Sequence, residues 1–252
     1  MILVFETGNT TTNLVVFGDG GIEALEYFNN SEAKNLGEFS GAVEKFLSGR
    51  GYLPGGIEIV LISSVVRSME NLEEDYCRVK GLRFFSLRKN GKNLNFKAPE
   101  DMGTDLMANV AAAIERYREY ALVIDMGTAT TFAVIAGGGE FLGGLIVTGF
   151  RSMGRALTAD CDLLPNFNPE IPLRVVSCDT IEAMQSGLYH GYRGLLREIV
   201  AAVEREVGHR MEVLMTGGNS TIFSDKLGFP VDFDRNLTFY GIKLIYDLNK
   251  TV

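Results

Sequence analysis

The sequence has no tryptophan and little proline, cysteine or histidine, and its acidic residues outnumber its basic ones. Six prolines in 252 residues exclude a proline-rich linker or fibrous repeat. Three cysteines without a Cys-x-x-Cys pair exclude a disulfide-based fold, and with only two histidines a zinc site is not expected. The 24 basic and 32 acidic residues give a net charge of −8, so nucleic acid is not expected as the partner.

Long hydrophobic runs are also scarce. The first residues reach Glu6 before any apolar stretch approaches the length of a signal sequence or a membrane span. We therefore expect a cytoplasmic protein that does not bind membranes and keeps its cysteines reduced. Glycine, in contrast, is abundant at 29 residues, which indicates tight turns within a folded body.

A ten-residue segment near the N-terminus is repeated halfway along the chain. Residues 3–12 and 122–131 share five identical positions, and Glu6 of the first segment corresponds to Asp125 of the second. Each copy consists of an apolar strand, an acid, a turn of glycine and small polar residues, and a second apolar strand, a pattern that predicts a β-hairpin. The repeat, 119 residues apart, predicts two similar domains, which we place at residues 1–118 and 119–252.

Strand and helix patterns alternate between and after the hairpins, which makes the fold class α/β. The predicted strands are residues 57–62, 142–147 and 213–215, and the predicted helices are residues 37–47, 71–79, 105–117 and a long one from Asp179 to Val207. Asp179, with Glu182 three residues later, has the pattern of a capping box. Three glycines interrupt the long helix and predict either a close approach of another element or ligand, or a kink or break: Gly187, Gly191 and Gly194.

The two hairpin turns suit a phosphate group. Glycine and small hydroxyl residues expose backbone N–H groups that converge on anionic oxygens. Glu6 and Asp125 lie beside these turns, where they can hold Mg²⁺ or a monovalent cation. A third turn, with Gly217 and Gly218, lets the backbone approach the sugar or base of a nucleotide. The alternative is that these are ordinary turns whose acids bind local amides.

Asp105 lies at the start of the predicted helix 105–117. An acid in this position is commonly a helix cap. It is also well placed to act as a general base that accepts the proton of an attacking hydroxyl in phosphoryl transfer. The residue pattern alone leaves both interpretations open.

Six segments occur in the order found in type III pantothenate kinases, and the chain resembles this family over nearly its whole length. They are residues 6–12, 99–105, 125–131, 143–146, 180–187 and 216–218. The resemblance implies an actin-like (ribonuclease H-like, hexokinase-like) fold of two duplicated α/β domains with ATP in a cleft between them, usually in a homodimer. It also implies phosphorylation of pantothenate, a small-molecule substrate, in coenzyme A biosynthesis, with MgATP and a monovalent cation (K⁺ or NH₄⁺).

The resemblance also implies a role for each matching residue. Asp105 is the expected catalytic base, Asp125 the expected ligand of the monovalent cation, and Glu6 a further metal ligand. The expected ATP-binding residues are Glu6, Thr7, Gly8, Asn9, Thr10, Thr11, Thr12, Asn13, Thr128, Gly217 and Gly218. The expected substrate-binding residues are Phe96, Gly103, Thr104, Asp105, Leu106 and Thr180.

Four positions depart from the family pattern. Glu6 replaces an aspartate, Phe96 replaces a tyrosine, and Leu106 replaces an arginine. Thr148 replaces a proline that precedes a glycine. Leucine cannot form the bidentate pair that arginine makes with a carboxylate such as that of pantothenate. Three functions remain open: a pantothenate kinase with a rebuilt pocket, a kinase of the same fold for another hydroxyl compound, and a non-catalytic relative that binds nucleotide.

Overall fold

The computed structural model describes residues 1–250 of the chain. These residues form two compact units: unit 1 contains residues 1–112 and the segment from Thr238 onward, and unit 2 contains residues 113–237. Compactness alone does not show which segments fold independently, so the domain ranges 1–118 and 119–252 stay a prediction. Within residues 1–250, no helix has both the length and the apolar character that crossing a membrane requires.

Ten strands and seven helices alternate along the described part of the chain, which confirms the α/β class. In order they are β1 (Ile2–Thr7), β2 (Thr11–Gly18), β3 (Gly21–Asn29), α1 (Leu36–Ser48), β4 (Ile59–Ser64), α2 (Arg67–Lys80), β5 (Phe84–Ser86), α3 (Leu87–Asn90), α4 (Thr104–Arg116), β6 (Ala121–Met126), β7 (Ala129–Ala136), β8 (Glu140–Thr148), α5 (Phe150–Ala159), α6 (Thr180–Val207), β9 (Glu212–Thr216), β10 (Asp232–Phe233) and α7 (Leu237–Asn249).

The two units contain sheets of the same design. The strand order is β3-β2-β1-β4-β5 in unit 1 and β8-β7-β6-β9-β10 in unit 2. In each sheet the first three strands in sequence are antiparallel, and the two remaining strands run parallel to the first. Both predicted hairpins are therefore confirmed, as is the structural duplication.

The registers show that the second hairpin turn is one residue shorter than the first. Thr7 pairs with Thr12 across the first hairpin, whereas Met126 pairs with Thr130 across the second. As a result Glu6 pairs with Asn13, and Asp125 pairs with Thr131. In the structure, Thr131 thus corresponds to Asn13. The ungapped alignment of residues 3–12 with residues 122–131 instead places Thr131 opposite Thr12.

The helices of unit 1 cover both faces of its sheet. On one face, α1 and α2 pack against Leu3 and Phe5 of β1. On the other, α4 and α7 pack against Val4 of β1 and Leu61 of β4. Because side chains alternate along a strand, Thr7 lies on the α1/α2 face, and Glu6 and Ser63 lie on the α4/α7 face.

The long helix α6 begins and ends as predicted. Asp179 caps its N-terminus by accepting a hydrogen bond from the Glu182 N–H at 3.0 Å, and Gly208 ends it in the left-handed conformation with φ 75°. The predicted capping box is only half formed, because the Glu182 carboxylate binds Arg174 and Ser177 instead. The helix is continuous through Gly187, Gly191 and Gly194, so a break there was a wrong alternative. A Cβ atom on any of these glycines would meet open space rather than another element of the described chain.

Candidate active site

In unit 1, the turn between β1 and β2 is held by its own backbone and by Asn30. Gly8 N–H donates to the Thr11 carbonyl at 3.0 Å. The Asn30 side-chain amide donates to the Gly8 carbonyl at 2.8 Å, and its backbone N–H donates to the Thr10 carbonyl at 2.9 Å. Residues 9 and 10 remain exposed at the tip. The expected phosphate-binding turn is therefore a fixed loop with an accessible end.

A buried chain of polar side chains lies beneath this turn. Thr7 Oγ1 lies 2.8 Å from Thr12 Oγ1, and the Thr12 hydroxyl donates to Asn30 Oδ1 at 2.9 Å. On its other side Thr7 Oγ1 lies 2.5 Å from Glu73 Oε1 of α2. Burial raises the pKa of Glu73 to about 8. The turn is thus tied to a helix 66 residues away in the sequence.

Glu6 lies in a row of polar side chains near the carboxyl ends of β1 and β4. It pairs in register with Asn13 on β2 and with Ser63 on β4. The Asn13 side-chain amide donates to Glu6 Oε2 at 2.6 Å. Ser63 Oγ is buried and has no hydrogen-bond partner among the described residues. A carboxylate beside an orphaned buried hydroxyl provides oxygen donors of the kind that Mg²⁺ prefers.

Asp105 lies in the first turn of α4, on the same sheet face as Glu6. Its Oδ1 accepts a hydrogen bond from the Leu106 N–H at 2.7 Å. A Cβ atom on the preceding Gly103 would lie 2.7 Å from that oxygen and 3.8 Å from Val65, which places the start of α4 near the end of β4. Burial raises the pKa of Asp105, and the backbone hydrogen bonds only partly offset this effect. A carboxylate with a raised pKa is a stronger proton acceptor, as a general base requires.

The remaining substrate-side residues of unit 1 lie around the same helix. Leu106 follows Asp105 on α4 and is half-buried. Thr104, the first helical residue, is buried, and its hydroxyl has no hydrogen-bond partner among the described residues. Phe96 packs against the apolar cluster that contains Ala108 of α4. In unit 1, Phe96 and residues 103–106 therefore lie at or against one helix, α4.

In unit 2, three segments meet at the turn between β6 and β7. Gly127 N–H donates to the Ala129 carbonyl, and the Gly149 and Asn219 N–H groups donate to the Thr128 and Met126 carbonyls, all at 3.0–3.1 Å. A Cβ atom on Gly149 would lie 2.3 Å from the Gly127 carbonyl oxygen. Only glycine fits there, because no real Cβ contact is so short. Thr128 itself is exposed.

Asp125 lies in a row that corresponds to the row of Glu6. It pairs in register with Thr131 on β7 and with Thr216 on β9. Thr216 Oγ1, like Ser63 Oγ, is buried without a hydrogen-bond partner in the described chain. Gly217 has φ 88°, and a Cβ atom on it would lie 2.4 Å from Asp125 Oδ1. Asp125, Thr128, Gly217 and Gly218 are therefore grouped at one edge of this sheet.

Thr180 lies at the start of α6, where it lines a cavity of about 590 Å³. The apolar side chains of Met153, Leu157 and Leu164 form part of the wall. None of the residues in the Asp125 row lines this cavity. Unit 2 therefore separates the expected nucleotide residues from the expected substrate residue Thr180.

The sequence interpretation missed several residues that support these turns. Arg151 donates from Nε to Asn219 Oδ1 at 2.9 Å, and Asn219 donates from Nδ2 to the Gly127 carbonyl at 3.3 Å. Asn219 directly follows the Gly-Gly pair, a signal that was available. Asn30 and Glu73 belong to no motif, so only the fold brings them to the first turn.

Replacing Tyr192 by phenylalanine is expected to lower the free energy of unfolding by about 1–2 kcal/mol. The buried Tyr192 hydroxyl lies 2.6 Å from Thr130 Oγ1 beside the second turn and donates to the Thr148 carbonyl at 3.2 Å. Loss of the Tyr192 hydroxyl removes this hydrogen-bond partner from both Thr130 Oγ1 and the Thr148 carbonyl. Urea unfolding measures the change, and Tyr189→Phe on the same helix is the control. Equal stability of the two variants would contradict this role.

Oxygen donors suited to a metal ion lie beside both Glu6 and Asp125. Residues 1–250 contain no group of three or more His, Cys, Asp or Glu side chains that could hold a metal ion. Mg²⁺ needs no such group, because it keeps water ligands and is commonly held by one or two carboxylates together with substrate phosphates. The hydroxyls of Ser63 and Thr216 are orphaned and lie next to Glu6 and Asp125. The donor set therefore fits cations that arrive with a nucleotide.

Solved structures with the same fold bind adenine nucleotides. The chain is similar to the activator of 2-hydroxyisocaproyl-CoA dehydratase from Clostridium difficile with bound ADPNP, with a TM-score of 0.58 and 14% identity over 99% of this chain and 96% of that one. It is also similar to MreB5 of Spiroplasma citri bound to AMPPNP, with a TM-score of 0.55 and 12% identity over 99% and 97% of the two chains. These similarities confirm the actin-like ATPase fold.

Sequence relatives identify the family. The chain is 32% identical over 255 residues to the type III pantothenate kinase of Myxococcus xanthus, covering 99% of both chains. It is 32% identical over 254 residues to that of Syntrophus aciditrophicus, covering 99% of this chain and all of the relative. The family model of type III pantothenate kinases matches residues 2–202. On the family model and on relatives 32% identical over almost the full length, this protein belongs to the type III pantothenate kinase family.

Proposed function

We propose that this protein transfers the γ-phosphoryl group of ATP to the primary hydroxyl of pantothenate. Membership of the family makes it a phosphotransferase with an alcohol acceptor. The observation that carries the proposal is the repeated row of an acid, an orphaned hydroxyl and a glycine turn in the two units. Such turns present backbone N–H groups to phosphate oxygens.

In unit 1, the turn of Thr7, Gly8, Asn9, Thr10, Thr11 and Thr12 would hold ATP phosphates. Glu6 and Asn13 lie beside it and would orient the groups around those phosphates. Mg²⁺ would be held by Glu6, directly or through water, together with phosphate oxygens, and when bound it neutralises their charge. The Glu6–Asn13 hydrogen bond of 2.6 Å supports this role, because it fixes one carboxylate oxygen and directs the group.

In unit 2, Thr128, Gly217 and Gly218 would contact the nucleotide, and Asp125 would bind a monovalent cation, K⁺ or NH₄⁺. Gly217 leaves room for the Asp125 carboxylate, which any larger residue would displace. Asp125 and Thr216 supply the hard oxygen donors that such a cation prefers.

Asp105 would accept the proton of the substrate hydroxyl while the hydroxyl oxygen bonds to the γ-phosphorus and the bond to the ADP oxygen breaks. The Leu106 N–H, which donates to Asp105 Oδ1, fixes the orientation of the carboxylate. In unit 1, Phe96, Gly103, Thr104 and Leu106 would contact the substrate, and we propose Thr180 of unit 2 as a further substrate-binding residue. The orphaned Thr104 hydroxyl supports this assignment, because a polar substrate group can satisfy it.

A kinase for a different hydroxyl compound is the second candidate. Leu106 and Phe96 present apolar surface where the family has polar groups, and neither can bind a carboxylate. A substrate without a negative charge at that end would suit this pocket better. The two candidates share every catalytic step and differ only in what lies against Leu106.

We also propose a cytoplasmic homodimer. Several large apolar side chains of unit 2 are almost fully exposed, including Leu163 at 96%, Leu173 at 99% and Val176 at 83%. Exposed apolar side chains in one region commonly mark an interface with another chain.

Three free cysteines in the described residues suit a reducing compartment.

Steady-state release of ADP from purified protein with MgATP, KCl and pantothenate tests the proposal. We expect turnover that requires pantothenate and falls when potassium is replaced by choline, and mass spectrometry should detect phosphopantothenate. A pantothenate amide, which lacks the carboxylate, is the comparison substrate. Turnover of the amide alone favours the second candidate, and nucleotide binding without any turnover favours the non-catalytic relative.

A further inference from the structure

Helix α2 contains three buried acids, and only one of them lacks a cation. Glu70 binds Arg88 Nε at 2.9 Å, and Glu74 binds Arg78 at 2.7 Å and also Lys89. Glu73 is fully buried, and the structure gives it no cationic partner among residues 1–250. Its Oε2 atom has no hydrogen-bond partner there either. A charged carboxylate in such surroundings is very costly.

A count of hydrogen atoms independently fixes the protonation state of Glu73. Three contacts of 2.5, 2.8 and 2.9 Å link four oxygen atoms in a line: Glu73 Oε1, Thr7 Oγ1, Thr12 Oγ1 and Asn30 Oδ1. Each contact needs one hydrogen atom. The two threonine hydroxyls supply two, and an amide oxygen supplies none.

The orientation of Asn30 is fixed, since the other side of its amide faces the Gly8 carbonyl at 2.8 Å. A carbonyl only accepts, so the Asn30 nitrogen must lie there and its oxygen must face Thr12. Thr12 then donates to Asn30, and Thr7 donates to Thr12. The hydrogen atom between Thr7 and Glu73 must therefore belong to Glu73.

We propose that Glu73 is an uncharged carboxylic acid at neutral pH and acts as a positioning residue for the phosphate-binding turn. It is the first donor of a one-way chain that runs through Thr7, Thr12 and Asn30 to the Gly8 carbonyl. The expected effect on nucleotide affinity rests on the proposed function. The protonation state of Glu73 does not. Ionisation of Glu73 removes the first donor and places a negative charge beneath a turn that holds phosphate.

The charges around Glu73 oppose its ionisation. Burial raises its pKa to about 8, and Coulombic repulsion from the carboxylates of Glu70, Glu6 and Glu74 acts in the same direction. Arg88 and Lys89 of α3 are bound to Glu70 and Glu74. Burial also raises the pKa of the neighbouring Cys77 to about 12, so this thiol stays neutral.

The direct test is a pH titration of protein labelled with ¹³C at the glutamate side-chain carboxyl, followed by NMR. We expect one carboxyl resonance that remains protonated at pH 7, titrates near pH 8 and is missing from Glu73→Gln. This readout does not depend on kinase activity. A Glu73 carboxyl that is already ionised at pH 7 would overturn the proposal.

The folded state binds this proton more tightly than the unfolded chain, in which a glutamate has its ordinary pKa of 4.5. Stability from this group is therefore complete below pH 4.5, decreases as the pH rises toward about 8 and changes no further above it. Glu73→Gln should lack this decrease. Thermal unfolding of both proteins from pH 5 to 9.5 measures the difference, and parallel curves would count against the proposal.

The positioning role is tested by ADP affinity as a function of pH. We expect wild-type affinity to fall about tenfold as Glu73 ionises, the scale of one lost charge-sensitive hydrogen bond. Glu73→Gln, whose amide can donate to Thr7, should keep the affinity at pH 7 and remove the alkaline decrease. Glu73→Leu should have weakened affinity at every pH, and Asp75→Asn, at an exposed acid of the same helix, should retain the wild-type profile.

An alkaline decrease that persists in Glu73→Gln would overturn the positioning role. If no variant and no wild-type sample binds ADP, the proposed function is wrong. The carboxyl titration and the amide exchange rates of residues 8–11 then decide the role of Glu73, because loss of the donor should speed exchange in the turn whether or not nucleotide binds. Amide exchange rates of residues 8–11 that stay the same between pH 7 and 9, after correction for intrinsic rates, would contradict the positioning role of Glu73.

Discussion

Replacing Asp105 by asparagine is expected to lower kcat by about 100- to 10,000-fold, the range that general-base catalysis contributes. Asparagine has nearly the shape of aspartate but cannot accept the proton of the substrate hydroxyl. Its side-chain oxygen can still accept the Leu106 N–H that Asp105 Oδ1 accepts at 2.7 Å. The start of α4 should therefore keep its structure, and the loss should lie in the chemical step.

ADP release under saturating MgATP and pantothenate measures this effect, and ADP affinity and thermal unfolding show that the site and the fold persist. Asp101→Asn is the matched control, because Asp101 is exposed and lies four residues earlier on the same segment. A variant at position 105 with near wild-type kcat would exclude Asp105 as the base. Equal loss in the two variants would point to the segment rather than the carboxylate.

The pH profile provides a second readout for Asp105. A general base works in its deprotonated form, so activity should fall on the acid side as Asp105 takes up a proton. Burial raises the pKa of Asp105 above its ordinary value of 3.8, so this acid limb should lie at a higher pH than for an exposed aspartate. The residual activity of Asp105→Asn should lack the limb.

The sequence was sufficient to predict the duplicated hairpins, because each contains a strand pattern, an acid and a glycine turn within about ten residues. It was also sufficient for the start of α6, which is set by the local signal of Asp179, and for its end at Val207, where Gly208 terminates the helix. The length of the second turn was not predictable. Threonines occupy several neighbouring positions, so an ungapped alignment scores well one residue out of register.

The buried face of α6 was predicted only in part. The spacing of apolar residues in the sequence predicts a stripe that contains Leu195 and Ile199, whereas the fully packed residues are Leu196 and Val200, which continue from Tyr192 at four-residue steps. Several adjacent residues are apolar there, so periodicity does not single out one face. The packing of Tyr192 against Phe150 and Phe223 decides it, and this is a tertiary effect.

The residues that support the first turn could not be predicted from sequence patterns, for a different reason. Glu73 reads as one of several acids on an ordinary helix, and Asn30 as a loop residue. Their link to Thr7 and Thr12 spans contacts 18 and 66 residues apart in the chain. Only the parallel pairing of β1 with β4, followed by α2, brings Glu73 beneath the turn.

Replacing Leu106 by arginine is expected to lower KM for pantothenate by about 10- to 100-fold, if pantothenate is the substrate, because a new pair of hydrogen bonds to a carboxylate is worth about 1.5–3 kcal/mol. Leu106 directly follows Asp105 in the first turn of α4 and is only half-buried, so a longer side chain has room to extend. KM for the pantothenate amide should change little, because the amide has no carboxylate to pair.

The ratio of the KM for the pantothenate amide to the KM for pantothenate distinguishes a pantothenate kinase from a kinase for an uncharged alcohol. Leu106→Met keeps the size and apolar character of the side chain and should leave the ratio unchanged, whereas Leu106→Lys adds charge without a bidentate fork and should shift it less than arginine does. If arginine instead abolishes activity on an uncharged alcohol that the wild type phosphorylates, the pocket is tuned to that alcohol. An arginine variant with the wild-type ratio would mean that the substrate carboxylate does not lie against position 106.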